Sequence, residues 1–348
     1  MKKTLIILSL LCSFLSILFI PSCSKSDTTS RPQLTPLPFT IPAGWPQPAY
    51  NFSSNPLTVQ GFELGKKLFY DGRLSKDGNF PCASCHQQFA GFANFDHDLS
   101  HGFNNQFTTR NAPGIFNMVW LDKMHWDGGI NHIEVQPLAP MTAPNEMAET
   151  IDNVVSKLQA DSSYRRMFNA AFGDETVNSQ RMLLALTQFV GSITSSNSRY
   201  DKMKRGETSF NQYETEGYKI FQSKCASCHQ EPLFTDNSFR NNGLAINPTI
   251  NDIGRMRITG NAADSLHFKV PSLRNLMLTF PYMHDGRFKS PMAVLDHYSD
   301  GIVSSSTLDA LLRNRISLDQ AEKIYLLEFF KTLTDSVMLN DQRFAAPL

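Results

Sequence analysis

Cysteine is scarce in this chain, neither charge sign is in excess, and no run alternates apolar and polar residues as a half-buried strand would. Lys and Arg total 32 against 32 Asp and Glu. That balance gives no electrostatic case for nucleic acid as a partner. The missing strand pattern points to an all-α fold. The N-terminal apolar run from Leu5 to Ile20 follows Lys2 and Lys3 and ends at Pro-Ser-Cys. It is too short for a secure membrane span and has the layout of an export signal over 1–22. A small residue before Cys23, with the polar SKSDTTS after it, matches a bacterial lipobox. Cys23 is then the lipid-anchored first residue of a periplasmic protein, the alternative being a plain secretory signal.

Residues 23–56 are rich in Ser, Thr and Pro and are expected to be a flexible tether. Of the six cysteines, Cys12 and Cys23 lie in or beside the signal, and the other four form CASCH twice, at 82–86 and 225–229. Disulfides suit an exported chain, and two CxxC pairs suit a zinc site. The zinc reading needs the pairs close in sequence, and they lie in different halves of the chain. Neither reading explains a His after the second cysteine in both copies, whereas C-x-x-C-H is the attachment pattern of a c-type haem. Cysteines three apart on a helical turn each reach one edge of a porphyrin, and the following His offers a neutral imidazole to iron. Two covalent haems are therefore expected, on Cys82, Cys85 and His86 and on Cys225, Cys228 and His229.

Helices are expected over 58–71, 149–172, 179–203, 211–224 and 318–334, the last burying a face of Ile324, Leu327 and Phe330. Small helices and long loops around each motif suit two packed cytochrome c-like domains. The expected N-terminal domain is 57–203 and the C-terminal one 204–348.

The stretches RNAPGIFNMVWLDKMHWDGGINHIEVQPLAPMTAPNEM (110–147) and KVPSLRNLMLTFPYMHDGRFKSPMAVLDHY (269–298), with the paired CxxCH motifs, resemble the bacterial di-haem cytochrome c peroxidase family. That family includes the enzyme that matures tryptophan tryptophylquinone. The resemblance covers about 57–335 and implies several roles. Glu146 is the acid–base residue on the open face of the first haem, Gln136 a distal-pocket residue, and Pro140 a residue narrowing that pocket. Trp126 is the tryptophan between the haems. Tyr298 stands where the second haem takes its sixth ligand, with His297, Met292 and Met283 as alternatives. The loop after the first motif departs from the well-studied peroxidases: Phe103 takes the place of their removable distal His, and His101 and His97 are out of register. Asn111 and the carbonyls of Thr279 and Pro281 match the ligands of a calcium ion, whose preference is for oxygen.

The expected reaction is reduction of hydrogen peroxide by electrons from a small periplasmic cytochrome or similar donor. The alternatives are oxidation of a protein side chain and, further off, simple electron carriage. Membrane contact is expected through the lipid anchor only.

Overall fold

A computed structural model describes residues 33–347. The signal, Cys23 and the first part of the expected tether lie outside the described residues. The described residues form one compact body with two large apolar cores and a small third cluster around Ile302, Leu308 and Leu312. Its main helices are α1 (Val59–Phe69), α2 (Ile151–Ala160), α3 (Ser162–Phe172), α4 (Ser179–Ser192), α5 (Arg199–Lys204), α6 (Gln212–Lys224) and α7 (Gln320–Lys331). Among the described residues the only ladder is a two-residue antiparallel pair, Phe239–Arg240 with Phe268–Lys269. The fold is all-α, as expected.

Each module is built on two crossed helices. In the first, α1 crosses α4, and a Cβ on Gly65 would overlap the carbonyl oxygen of Ala185 and press on Phe189. In the second, α6 crosses α7, and a Cβ on Gly217 would overlap the carbonyl oxygen of Tyr325 and press on Phe329. The same device therefore appears twice: a glycine facing a carbonyl, with a phenylalanine one turn further on. Leu64, Leu68 and Phe189 fill the first core, and Phe221, Leu326, Phe329 and Leu333 the second. Capping fixes the helix starts: Thr58 accepts from the Gly61 N–H, and Asn211 with Glu214 and Asp319 with Glu322 form capping boxes.

Several expectations need correction. The helix expected over 149–172 is broken at Asp161, whose side chain accepts from the Ser163 N–H and starts α3. The helix expected over 179–203 ends at Ser192, and a capping box of Ser198 and Asp201 opens α5. Between them, Asn117 grips Ser195 through both amide atoms, at 2.8 and 3.1 Å. Tyr200 belongs to the second core, and Asp201 pairs with the wholly buried Arg274 at 2.8 and 2.9 Å. Tyr200 and Asp201, inside the expected first domain, thus make contacts with the second core and with Arg274. On α7, Ile324 is 43% exposed while Leu326, Phe329 and Phe330 are buried, so the inward face is turned from the expected one.

The described part of the expected tether is also not free. Leu37 N–H donates to Leu57 O, Tyr50 is buried, and Trp45 packs edge-on against Trp120 with 4.9 Å between ring centroids. Four aromatics in 39–52, Phe39, Trp45, Tyr50 and Phe52, bury enough apolar surface to fold this strap onto the first module.

Candidate active site

Each CASCH segment forms a tight turn in which the His N–H donates to the first cysteine carbonyl at 3.0 Å. The imidazoles are aimed alike. His86 Nδ1 lies 2.8 Å from Phe92 O, and His229 Nδ1 lies 3.2 Å from Phe234 O and 3.1 Å from Pro271 O. Both phenylalanines hold positive φ, 57° and 58°. Carbonyl partners require Nδ1–H, so Nε2 of each ring is left as an acceptor. Burial lowers the pKa of both histidines and keeps the rings neutral. Burial also pushes the Cys82 and Cys225 thiols up to about 12. Among the described residues Cys82, Cys85, Cys225 and Cys228 are unpaired, and no cluster of three or more His, Cys, Asp or Glu occurs.

Both motifs open onto one continuous cavity of about 940 Å³. Four thiols and two oriented imidazoles around such a cavity fit two covalent c-type haems. The cavity wall also includes Gln136, Pro140, Glu146, Trp126 and Tyr298.

Glu146 sits on the loop after the short helix Leu138–Thr142, and its backbone carbonyl accepts from Phe103 N–H at 2.6 Å. Its carboxyl makes no hydrogen bond within the protein, and burial raises its pKa. It does not cap the next helix: Thr150 does, and Glu149 pairs with Lys157. Trp126 donates its indole N–H to Asn111 O at 2.9 Å, while its own carbonyl accepts from Lys269 N–H at 2.7 Å. It is thus tied to the only paired strand of the second module.

In the loop after the first motif, His101 reaches the cavity, with Nδ1 2.8 Å from Asn105 Oδ1 and its ring 4.5 Å from that of Phe107. His97 is exposed and Phe103 lies under Lys76, both away from the cavity. On the other side, Tyr298 lies in a π-type turn, His297–Gly301, and burial pushes its phenol up to about 12. Of its expected rivals only Met283 lines the cavity; Met292 does not, and His297 points its Nε2 at Asn242 O, 3.0 Å away.

Asn111, Thr279 and Pro281 also line this cavity. The Asn111 amide nitrogen donates to Asp98 O at 3.0 Å, while its Oδ1 and the two carbonyls accept no protein hydrogen bond. Three oxygens without a protein partner on one cavity wall are of the kind calcium prefers.

Two wall residues escaped the sequence reading. Lys269 is half-buried, donates to Lys123 O at 2.9 Å, and is lowered to about 8 by desolvation of its charge. His125 lies 3.3 Å from Gln136. The signal for His125 was present in the echo between KMHWDGGI and PYMHDGRF.

Residues 59–209 match the family model described as "Di-haem cytochrome c peroxidase". The chain is 34% identical to "Methylamine utilization protein MauG" of Methylorubrum extorquens, covering 85% of this chain and 83% of that protein. It is 35% identical to "Cytochrome c551 peroxidase" of Nitrosomonas europaea, covering 78% and 79%. Among solved structures, a MauG-like protein associated with microbial copper homeostasis superposes with a TM-score of 0.83 at 32% identity, covering 89% of this chain and 99% of the other.

Proposed function

Because this chain belongs to the di-haem cytochrome c peroxidase family, we propose that it reduces hydrogen peroxide to two waters, taking two electrons from a small periplasmic cytochrome or similar donor and two protons from solvent. When bound at Cys82, Cys85 and His86 and at Cys225, Cys228 and His229, the haems supply the iron that meets peroxide and the store of electrons. His86 and His229 would hold them by Nε2, and Tyr298 would supply a further protein ligand to the second.

The observation that carries the reading is the half-buried Glu146 carboxyl, without a protein hydrogen bond, in the same wall as His86. Breaking peroxide requires a proton to leave the oxygen that stays and reach the oxygen that departs. One carboxylate near both performs the two transfers. Gln136 orients the peroxide without competing for the proton, Pro140 narrows the pocket, and Trp126 conducts electrons between the modules. Glu146→Gln should keep both haems and lower peroxide turnover by about a hundredfold or more; turnover near that of the unaltered protein would overturn the assignment.

A second reading has the same site oxidise a protein side chain. Tyr298 at the cavity wall favours it, as does the likeness to "Methylamine utilization protein MauG". Consumption of two reduced cytochromes per peroxide separates the first reading from the second. Simple electron carriage leaves Glu146 and Gln136 without a task.

Export and lipid attachment at Cys23 follow from the N-terminal sequence, and no described helix is long and apolar enough to cross a membrane. Cys23→Ser should move the protein from the membrane fraction to the soluble one; unchanged partition would exclude the anchor. Calcium at Asn111, Thr279 and Pro281 completes the proposed cofactor set.

A further inference from the structure

The two modules repeat a turn that projects one side chain into the cavity. In the first, Met124 and Ile130 bridge, with the Met124 N–H 2.7 Å from Ile130 O. His125 follows at φ 65° and Gly128 at φ 70°. In the second, Tyr282 and Phe288 bridge, with the Tyr282 N–H 2.8 Å from Phe288 O. Met283 follows at φ 74° and Gly286 at φ 68°. Asp127 and Asp285 occupy the same place, each accepting from a backbone N–H two residues on. His125 is therefore the counterpart of Met283.

That correspondence orients the first site by the second. Met283 lines the cavity, and its sulfur lies 3.4 Å from Asn242 Nδ2. Asn242 and Tyr298, the residue assigned to the face opposite His229, line the same cavity. By the same turn, His125 faces the side of the first site opposite His86, where it meets Gln136 at 3.3 Å between the two Nε2 atoms. A non-glycine residue at φ 65° is strained, and such strain collects at functional sites.

We propose that His125 is a positioning residue of the first haem site: its neutral ring accepts a hydrogen bond from the Gln136 amide and fixes that amide at the open face. The pairing requires the His125 Nδ1–H tautomer, and it leaves the second N–H of the amide free for a small oxygen or anion ligand of the iron. Without the ring, Gln136 keeps its place in the sequence but loses its fixed direction. The proposal rests on the peroxidase reading only in placing Gln136 on the open face.

The test is binding of sodium fluoride to the diferric holoprotein, followed by optical and electron paramagnetic resonance spectra. Fluoride on ferric iron is held by a distal hydrogen-bond donor, so its affinity reports the amide directly. His125→Phe removes the ring nitrogens, and His125→Gly does so while suiting the positive φ, which guards against misfolding of the first variant. Both should weaken fluoride about tenfold, the worth of one ordinary hydrogen bond. Gln136→Leu should do the same, and the double variant should be no weaker than either single one. If Gln136→Leu weakens fluoride and neither His125 variant does, this proposal alone falls. If Gln136→Leu has no effect, or the unaltered protein takes up no fluoride, the open-face reading falls with it. Conversion of a low-spin first haem to high spin in the His125 variants would make His125 an iron ligand and overturn the positioning role.

Discussion

Glu146 has a carboxyl without a protein partner, and burial alone raises its pKa above the ordinary 4.5. The sign of the consequence is fixed. If Glu146 is the proposed proton acceptor, the active form is the carboxylate, so the rate of reaction with peroxide should rise with pH through a midpoint above 4.5. Glu146→Gln should remove that limb, and a limb surviving in the variant would assign it to another group. The same shift favours the protonated fold: its contribution to stability is full below the ordinary pKa and is lost as pH rises through the raised one. The oxygen trio of Asn111, Thr279 and Pro281 makes a second residue-scale prediction. Chelation of calcium should loosen the link to Trp126, whose indole N–H binds the Asn111 carbonyl, and change the haem spectra. Spectra and activity indifferent to a chelator, in protein shown to be calcium-free, would remove the ion from the account. At this scale the sequence was legible wherever the chemistry is local. The CxxCH spacing fixes which atoms face the cavity almost by itself. For His125 the echo of KMHWDGGI in PYMHDGRF was legible but its direction was not, because that depends on a positive φ beside a bridge six residues wide.

At the scale of elements, the paired crossings are the sharpest test of how each module holds together. Gly65 and Gly217 both face a backbone carbonyl, which cannot step aside as a flexible side chain does. Gly217→Ala should therefore push α6 off α7 even though alanine is the better helix former. Overpacking of this kind costs about 1–3 kcal/mol, against the gain of about 1 kcal/mol from helix propensity. Thermal unfolding of the holoprotein should show a net loss; an unchanged or raised midpoint would mean the helices separate at little cost. The existence of these helices was readable from their periodicity and caps. Their breaks were not. Asp161 and Ser198 each begin a new helix by capping it, and both sit inside stretches whose apolar pattern continues across the break. The inward face of α7 was misjudged because Ile324 and Leu327 share a stripe with Phe330, while the contact with α6 is made through Leu326 and Phe329.

At the scale of the whole molecule, the chain does not divide as its two motifs suggest. The segment after α7 leaves the second module and closes on the first. Asp335, almost fully buried, accepts from the N–H groups of Ser196 and Asn197, and its own N–H donates to Asn275 Oδ1 at 2.8 Å. Further on, Gln88 donates to Asp341 O at 2.9 Å, Tyr70 donates its phenol to Phe344 O at 2.7 Å, and the Phe344 ring joins the first core. The C-terminal end is thus part of the module that holds Glu146. Truncation after Asn340 should strip Phe344 from that core, a loss of about 3–5 kcal/mol by comparison with large-to-small core substitutions. If the modules unfold separately, the first haem's spectrum should melt earlier while the second keeps its own midpoint. If the buried Asp335 junction makes them one cooperative unit, both midpoints should fall together. A truncated protein with neither midpoint altered would show that the tail rests on the first module without supporting it. Separate melting would place the working division between a labile peroxide-binding module and a firmer electron-storing one. Joint melting would tie the geometry of Glu146 to the second module's own packing, through Asp335 and Asn275.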